Sequence, residues 1–226
     1  MVILPSILGL LPAVIWLFFF LREDATRPEP KRMIIYVFVG GALAAGVSVI
    51  PEFYLQKYFP PSAAGPAYAS PLLGPFAFIE EIAKFLIVYL IIKKSKYFDE
   101  GVDAMIYMIT AGLGFAAVEN ILNLIGTDSI VETFALRSIG ATLLHALASG
   151  ILGFHWARGR LIPGIVAAAL LHWAFNYLVL IFQNIEIYTT GLLLLAAIFL
   201  FHDFEILKAK DRMMVRFRRP QNHQNQ

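Results

Sequence analysis

The sequence predicts an all-α membrane protein, a polytopic bundle of about seven transmembrane helices forming one integral domain over residues 1–226. Three observations predict it. Hydrophobic residues make up 59% of the 226 and charged residues only 15%, against about 25% charge in an ordinary soluble domain. The mean hydropathy is +0.71. Apolar runs recur along the whole chain, and at roughly 20 residues per span they leave no room for a separate soluble catalytic domain. Any chemistry must happen in or beside the bilayer. Cysteine is absent, which excludes disulfides, thiolate metal ligands and a cysteine nucleophile.

The elements follow in order. The first apolar segment, 3–21, has no basic flank before it and no small-residue cleavage site, so it reads as a retained span. A second runs over 33–50. The stretch PEFYLQKYFPPSAAGPAYASP (51–71) is rich in Pro and aromatics and reads as an outer loop, either a lid along the interface or a passive connector. Further spans are expected at 74–92, 104–125, 138–156, 162–182 and 188–203, followed by a solvated basic tail over 204–226.

Basic residues set the direction. One set of connections holds Arg22, Arg27, Lys31, Arg32, Lys93, Lys94, Lys96, Arg158 and Arg160, and the tail adds six more; the opposite set holds only Lys57 and Arg137. Every alternate loop agrees. The N-terminus is expected outside and the C-terminus in the cytoplasm, with the basic tail near anionic headgroups and no nucleic-acid partner.

The third span, GPFAFIEEIAKFLIVYLII (74–92), is costly. It carries eleven Leu, Ile, Val or Phe residues alongside Glu80, Glu81 and Lys84. At about −0.3 to −0.6 kcal/mol for each apolar residue and roughly +2.5 to +3.5 for each charge, insertion alone is unfavourable by roughly 4 kcal/mol. These charges must face the bundle interior or a wet cavity. Other spans supply partners: Glu119 and Asn120 in the fourth, His145 and Ser149 in the fifth, His172 and Asn176 in the sixth. The pairs 145/149 and 172/176 each share a helix face. At 1.5 Å per residue from the outer end of each span, Glu80, Glu119, His145 and His172 all fall roughly 9–15 Å deep. Helices running in opposite directions thus bring them to one level, which implies one site in the outer half of the membrane. Asn120, Asn123 and Ser149 read as glue between helices, and Gly112, Gly114, Gly150 and Gly153 as points of close helix approach. His155 and His202 reach the inner interface, and Trp16, Trp156 and Trp173 pack or sit at interfaces.

EExxK (Glu80, Glu81, Lys84), FDEGVDAMIY (98–107), GFAAVEN (114–120), LLHALASGILGF (143–154) and LLHWAFNY (170–177) together resemble the PrsW family of intramembrane proteases, over a core of about 74–180. The family is grouped with the CAAX prenyl endopeptidases as glutamate-dependent proteases and is associated with the first cut of a membrane-spanning anti-sigma factor. The resemblance implies essential roles for Glu80, Glu81 and His172, with Glu119 and His145 at matching motif positions. Where the family's last motif often reads HxxxD, this chain has Asn176, which favours a hydrogen-bond donor there.

Peptide hydrolysis needs an activated water, a stabilised oxyanion and a proton for the leaving amine. In this reading Glu80 or Glu81 deprotonates water, His172 and Asn176 donate to the oxyanion, and Glu119 and His145 orient the water or the base. Lys84, Phe115 and Asn120 support the site, and no cofactor is required. A zinc site built from Glu80, Glu81, Glu119, His145 and His172 is the mechanistic rival, although no HExxH occurs. The substrate is expected to be a membrane-anchored protein of the cell membrane entering laterally from the bilayer. A proton-coupled transporter, a non-catalytic binding or immunity module and a CAAX-type endopeptidase are the alternatives.

Overall fold

A computed structural model describes residues 2–24, 27–59, 70–125, 127–181 and 186–218. Seven α-helices account for nearly all of them: α1 Ile3–Leu21, α2 Lys31–Tyr58, α3 Ser70–Ile92, α4 Gly101–Ile125, α5 Ile130–Ala157, α6 Leu161–Ile181 and α7 Glu186–Arg218. A 3₁₀ turn, Arg22–Asp24, follows α1, and no strand occurs among the described residues. Each of the seven expected spans is a helix, and six of them are long and apolar enough to cross a membrane. The exception is α3, whose three charges break its apolar run.

The helix α4 is the axis of the bundle. Its residues from Val102 to Ala117 are all buried, because α1, α2 and α5 pack along it and α3 and α7 add shorter contacts. The outer helices turn apolar side chains outward: Ile35, Val39, Leu43 and Val47 on α2, and Leu194, Leu195, Ile198 and Phe199 on α7. Such faces suit a lipid surround, as the length and apolar character of these helices imply.

Helix ends are satisfied by specific residues. At the start of α4, Asp103 Oδ2 accepts the backbone N–H groups of Asp99 (2.9 Å) and Glu100 (2.7 Å). Asp211 on α7 accepts those of Gly101 (3.1 Å) and Val102 (3.3 Å), so negative charge meets the positive end of the helix dipole. At the end of α5, Gly159 takes φ of 71°. There Arg160 N–H bonds the His155 carbonyl at 2.9 Å and Gly159 N–H the Trp156 carbonyl at 2.9 Å. This paired closure needs a left-handed residue, which Gly supplies at little cost.

Three expectations are corrected. The outer connection begins later than expected, because α2 continues through Pro51 to Tyr58; residues 60–69 of the expected lid lie outside the described residues. Arg137 belongs to no loop: α5 starts at Ile130, and Arg137 lies two turns into it. The expected solvated tail is helical to Arg218, and its first part folds onto the bundle, with Phe204 and Leu207 fully buried and Lys208 bonded to Glu23 at 2.6 Å. An apolar stripe on residues 200–207 explains the difference. His155 bonds its own helix, at Ile151, and Trp16 bonds the Ser138 carbonyl at 3.2 Å.

The glycines do what their spacing implies. A methyl group on Gly41 would sit 2.0 Å from the Ala111 carbonyl oxygen, and one on Gly114 2.0 Å from that of Phe38. The α2 and α4 backbones therefore touch at both points. We expect Gly114→Val to destabilise the folded protein by about 1–3 kcal/mol, read as a lower thermal midpoint in detergent. Gly46→Ala, inside α2 with nothing within 4 Å, should leave that midpoint unchanged or raise it, since Ala is favoured over Gly in a helix interior by about 0.5–1 kcal/mol.

Candidate active site

Four helices contribute to one polar network inside the bundle. On α3, Glu81 and Lys84 are wholly buried and joined at 2.7 Å. Lys84 Nζ also lies 2.8 Å from His145 Nδ1 on α5, and His145 Nε2 lies 2.7 Å from Glu119 Oε2 on α4. An ammonium can only donate, so His145 Nδ1 accepts and its Nε2–H donates to Glu119. On α6, His172 Nδ1 lies 3.0 Å from Glu81 Oε1. The carboxylate accepts that proton, and His172 Nε2 is thereby aimed at Glu80 Oε2, 3.8 Å away.

The two adjacent glutamates are not equivalent. Glu81 holds Lys84 and His172 through one oxygen. Glu80 is 3.8 Å from Lys84, keeps a side chain 15% exposed, and has its Oε2 buried without a hydrogen-bond partner. The i,i+4 spacing of Glu80 and Lys84 suggests that pair as the closer one; the i,i+3 pair with Glu81 is the one that closes.

Packing and outer contacts fix the rest. The Phe115 ring lies 4.3 Å from Lys84 Nζ and 5.2 Å from the His145 ring, a cation–π contact in a desolvated place. His145 and His172 meet edge to face at 4.9 Å. Gly112 lets α5 approach: a methyl there would lie 2.5 Å from the His145 carbonyl oxygen and 2.6 Å from Ser149 Oγ. Asn120 joins α4 to α5, donating to Thr142 Oγ1 at 2.8 Å and accepting from Arg137 at 2.9 Å.

The structure thus brings together Glu80, Glu81, Lys84, Phe115, Glu119, Asn120, His145 and His172. Asn176 is the exception: half-buried one turn beyond His172, it makes no hydrogen bond to the network. Two contributors escaped the sequence reading. Arg137 Nη2 pairs with Glu119 Oε1 at 2.9 Å; it stands two turns before His145 on the same face, a spacing hidden by starting the span at 138. Glu52, on the unforeseen extension of α2, lies within electrostatic reach of Glu119, His172 and Lys84 and has one oxygen buried without a partner.

One ligand-capable atom from each of Glu80, His145 and His172 lies within 4.8 Å of the other two. In kind this donor set fits zinc. In detail His145 would release Lys84, and the Glu80–His172 pair would close from 3.8 Å to about 3.3 Å, the separation set by zinc bonds of 2.0–2.1 Å in a tetrahedron.

Comparison with known proteins matches the sequence profile described as "PrsW family intramembrane metalloprotease" to residues 29–202. The chain belongs to the PrsW family. It is 33% identical to Protease PrsW of Geobacillus kaustophilus over 155 residues, covering 67% of this chain and 65% of that one. It is 28% identical to Protease PrsW of Bacillus subtilis over 186 residues, covering 78% and 83%. It is 27% identical to that of Oceanobacillus iheyensis, covering 83% and 88%. No solved structure matches. This PrsW family member is a multi-pass membrane protein of a peptidase family, and its five motifs stand on the helices that build the network.

Burial fixes what the Glu81–Lys84 pair is worth. Lys84→Met leaves Glu81 buried without its counter-charge and is expected to cost about 3–5 kcal/mol, seen as loss of monodisperse protein in detergent. Glu81→Gln combined with Lys84→Met should recover most of that stability. Equal instability of the double variant would show that the charge pair is not what Lys84 contributes.

Proposed function

We propose that the chain hydrolyses a peptide bond of a membrane-anchored protein with a water held between Glu80 and His172. The observation that carries this reading is the unpartnered Glu80 Oε2 facing His172 Nε2 across 3.8 Å. A water making ordinary hydrogen bonds of about 2.8 Å to both atoms spans such a gap. Its two hydrogens then point at the carboxylate and the imidazole, and its lone pair is free for a substrate carbonyl. Glu80 takes the proton as general base and returns it to the leaving amine as general acid.

Every other group acts through these two. Glu81 orients His172, and Lys84 pairs with Glu81. His145, Glu119 and Arg137 continue the chain of contacts and hold Lys84 in register. Asn176 has no partner in the network, which leaves its amide free to donate to the oxyanion. The substrate reaches the site from the bilayer near its outer half, as the basic-loop asymmetry and the shared depth of the site support. An anti-sigma factor with a single span is the substrate class that the family resemblance suggests.

A second reading places zinc on Glu80, His145 and His172, favoured by their convergence within 4.8 Å and by the description of the matched family. A bound zinc would polarise the water and the carbonyl as a Lewis acid; Glu81 and Glu119 would then orient the two histidines.

Cleavage of single-span substrates in detergent or liposomes tests both. Glu80→Gln, which breaks no hydrogen bond, is expected to lower turnover by about 10²–10⁴ while the protein stays folded, and His172→Ala should do the same. Activity insensitive to chelators supports the glutamate reading; loss on chelation with rescue by zinc replaces it with the metal one. Turnover near wild type in Glu80→Gln would sink both readings of the site; failure of the wild type to cut any substrate would favour a transporter or a non-catalytic module.

A further inference from the structure

At the other end of α4, three carboxylates converge without a counter-charge. Asp24 closes the 3₁₀ turn after α1, Glu29 lies just before α2, and Asp103 stands in the first turn of α4. One carboxylate oxygen from each lies within 4.8 Å of those of the other two. Asp24 and Asp103 are only 3% and 2% exposed. Among the described residues no Lys or Arg pairs with any of the three. The nearby cations are engaged elsewhere, Arg27 with Glu100 at 2.5 Å and Lys208 with Glu23 at 2.6 Å and Glu205 at 3.1 Å.

Neutral donors meet part of the demand. Asp103 Oδ2 accepts two backbone amides, and the Tyr107 hydroxyl donates to Glu29 Oε2. Asp24 Oδ2, however, is buried and accepts nothing. Carboxylates gathered out of water repel one another and lack solvation, so the cluster calls for positive charge, as a bound cation or as protons shared between carboxyls such as Glu29 and Asp103.

We propose that Asp24, Glu29 and Asp103 form a binding site for a hard divalent cation. All-oxygen donors select Ca²⁺, Mg²⁺ or Mn²⁺ over zinc. Asp24 also lines a cavity of about 450 Å³ with Arg22, Glu23, Glu100 and Lys208, which gives the ion a way in. A bound ion ties the segment between α1 and α2 to the start of the central helix. Glu119 lies sixteen residues along that helix from Asp103, about 24 Å away at 1.5 Å per residue, so the site is separate from the glutamate–histidine network.

Burial pushes the Glu29 carboxyl up to about 8, with Asp103 and Asp24 adding to the rise and the Tyr107 hydroxyl opposing it.

The test uses the full-length protein in detergent with Mn²⁺ as probe, followed by electron paramagnetic resonance, and Ca²⁺ as competitor. One saturable Mn²⁺ per chain is expected, displaced by Ca²⁺, retained in Glu80→Gln and lost in Asp24→Asn and Glu29→Gln. Should Asp24→Asn fail to fold, Glu29→Gln decides, since Glu29 lies outside every helix. Retention of the ion in the folded Asp24 and Glu29 variants overturns the proposal. So does its loss in Glu80→Gln alone, which would place it in the network, and so does the absence of saturable binding, which would mean that the three carboxyls share protons instead.

Discussion

A lysine side chain with no access to solvent governs the interior of this protein. Lys84 has no exposed surface, and an ammonium in such a place persists only if charge and hydrogen bonds surround it. Glu81 supplies the charge from one turn earlier on α3, His145 supplies a lone pair from α5, and the Phe115 ring on α4 supplies its face. Three helices are thereby required to meet at one atom. His172 joins through Glu81, which brings in α6. The polar interior therefore specifies how four helices come together, in a solvent where apolar contact alone discriminates poorly among arrangements.

The apolar part of the bundle is shaped to allow that meeting. Glycine contacts bring α2 against α4 and α4 against α5, and the contact at Gly112 falls beside the His145 backbone. Close backbone approach and short polar contacts are thus parts of one arrangement: a longer helix separation would open every link from Glu119 to Lys84. The outer pair of Arg137 and Asn120 closes the same helix pair from the side, so that Glu119 is held from two directions although its side chain is 36% exposed.

Much of this was legible in the sequence, for a physical reason. Charges within an apolar span carry a cost that needs partners, and the depth of each polar residue follows from helix rise alone. Glu80, Glu81, Lys84, Glu119, His145 and His172 were found that way, and all of them meet. Arg137 and Glu52 were missed because both lie where a helix outruns its apolar segment, and hydropathy marks the edge of the membrane, not the end of a helix. The division between the two glutamates was also hidden, since i,i+3 and i,i+4 partners look equally near on a helical wheel. Asn176 was grouped with His172 by spacing, but spacing gives a shared face and not a shared hydrogen bond. The helical continuation of the basic tail was obscured by its charge, although Phe204 and Leu207 already carried a buried stripe.

The cap that α7 places on α4 bears on how the protein is made. The N–H groups of Gly101 and Val102 bond an aspartate 110 and 109 residues further along the chain. During synthesis the central helix emerges first, and those amides have to wait until the last helix has been translated and inserted. Maturation of the bundle axis is therefore a late event in biogenesis, timed by the arrival of the C-terminal helix rather than by insertion of α4 itself.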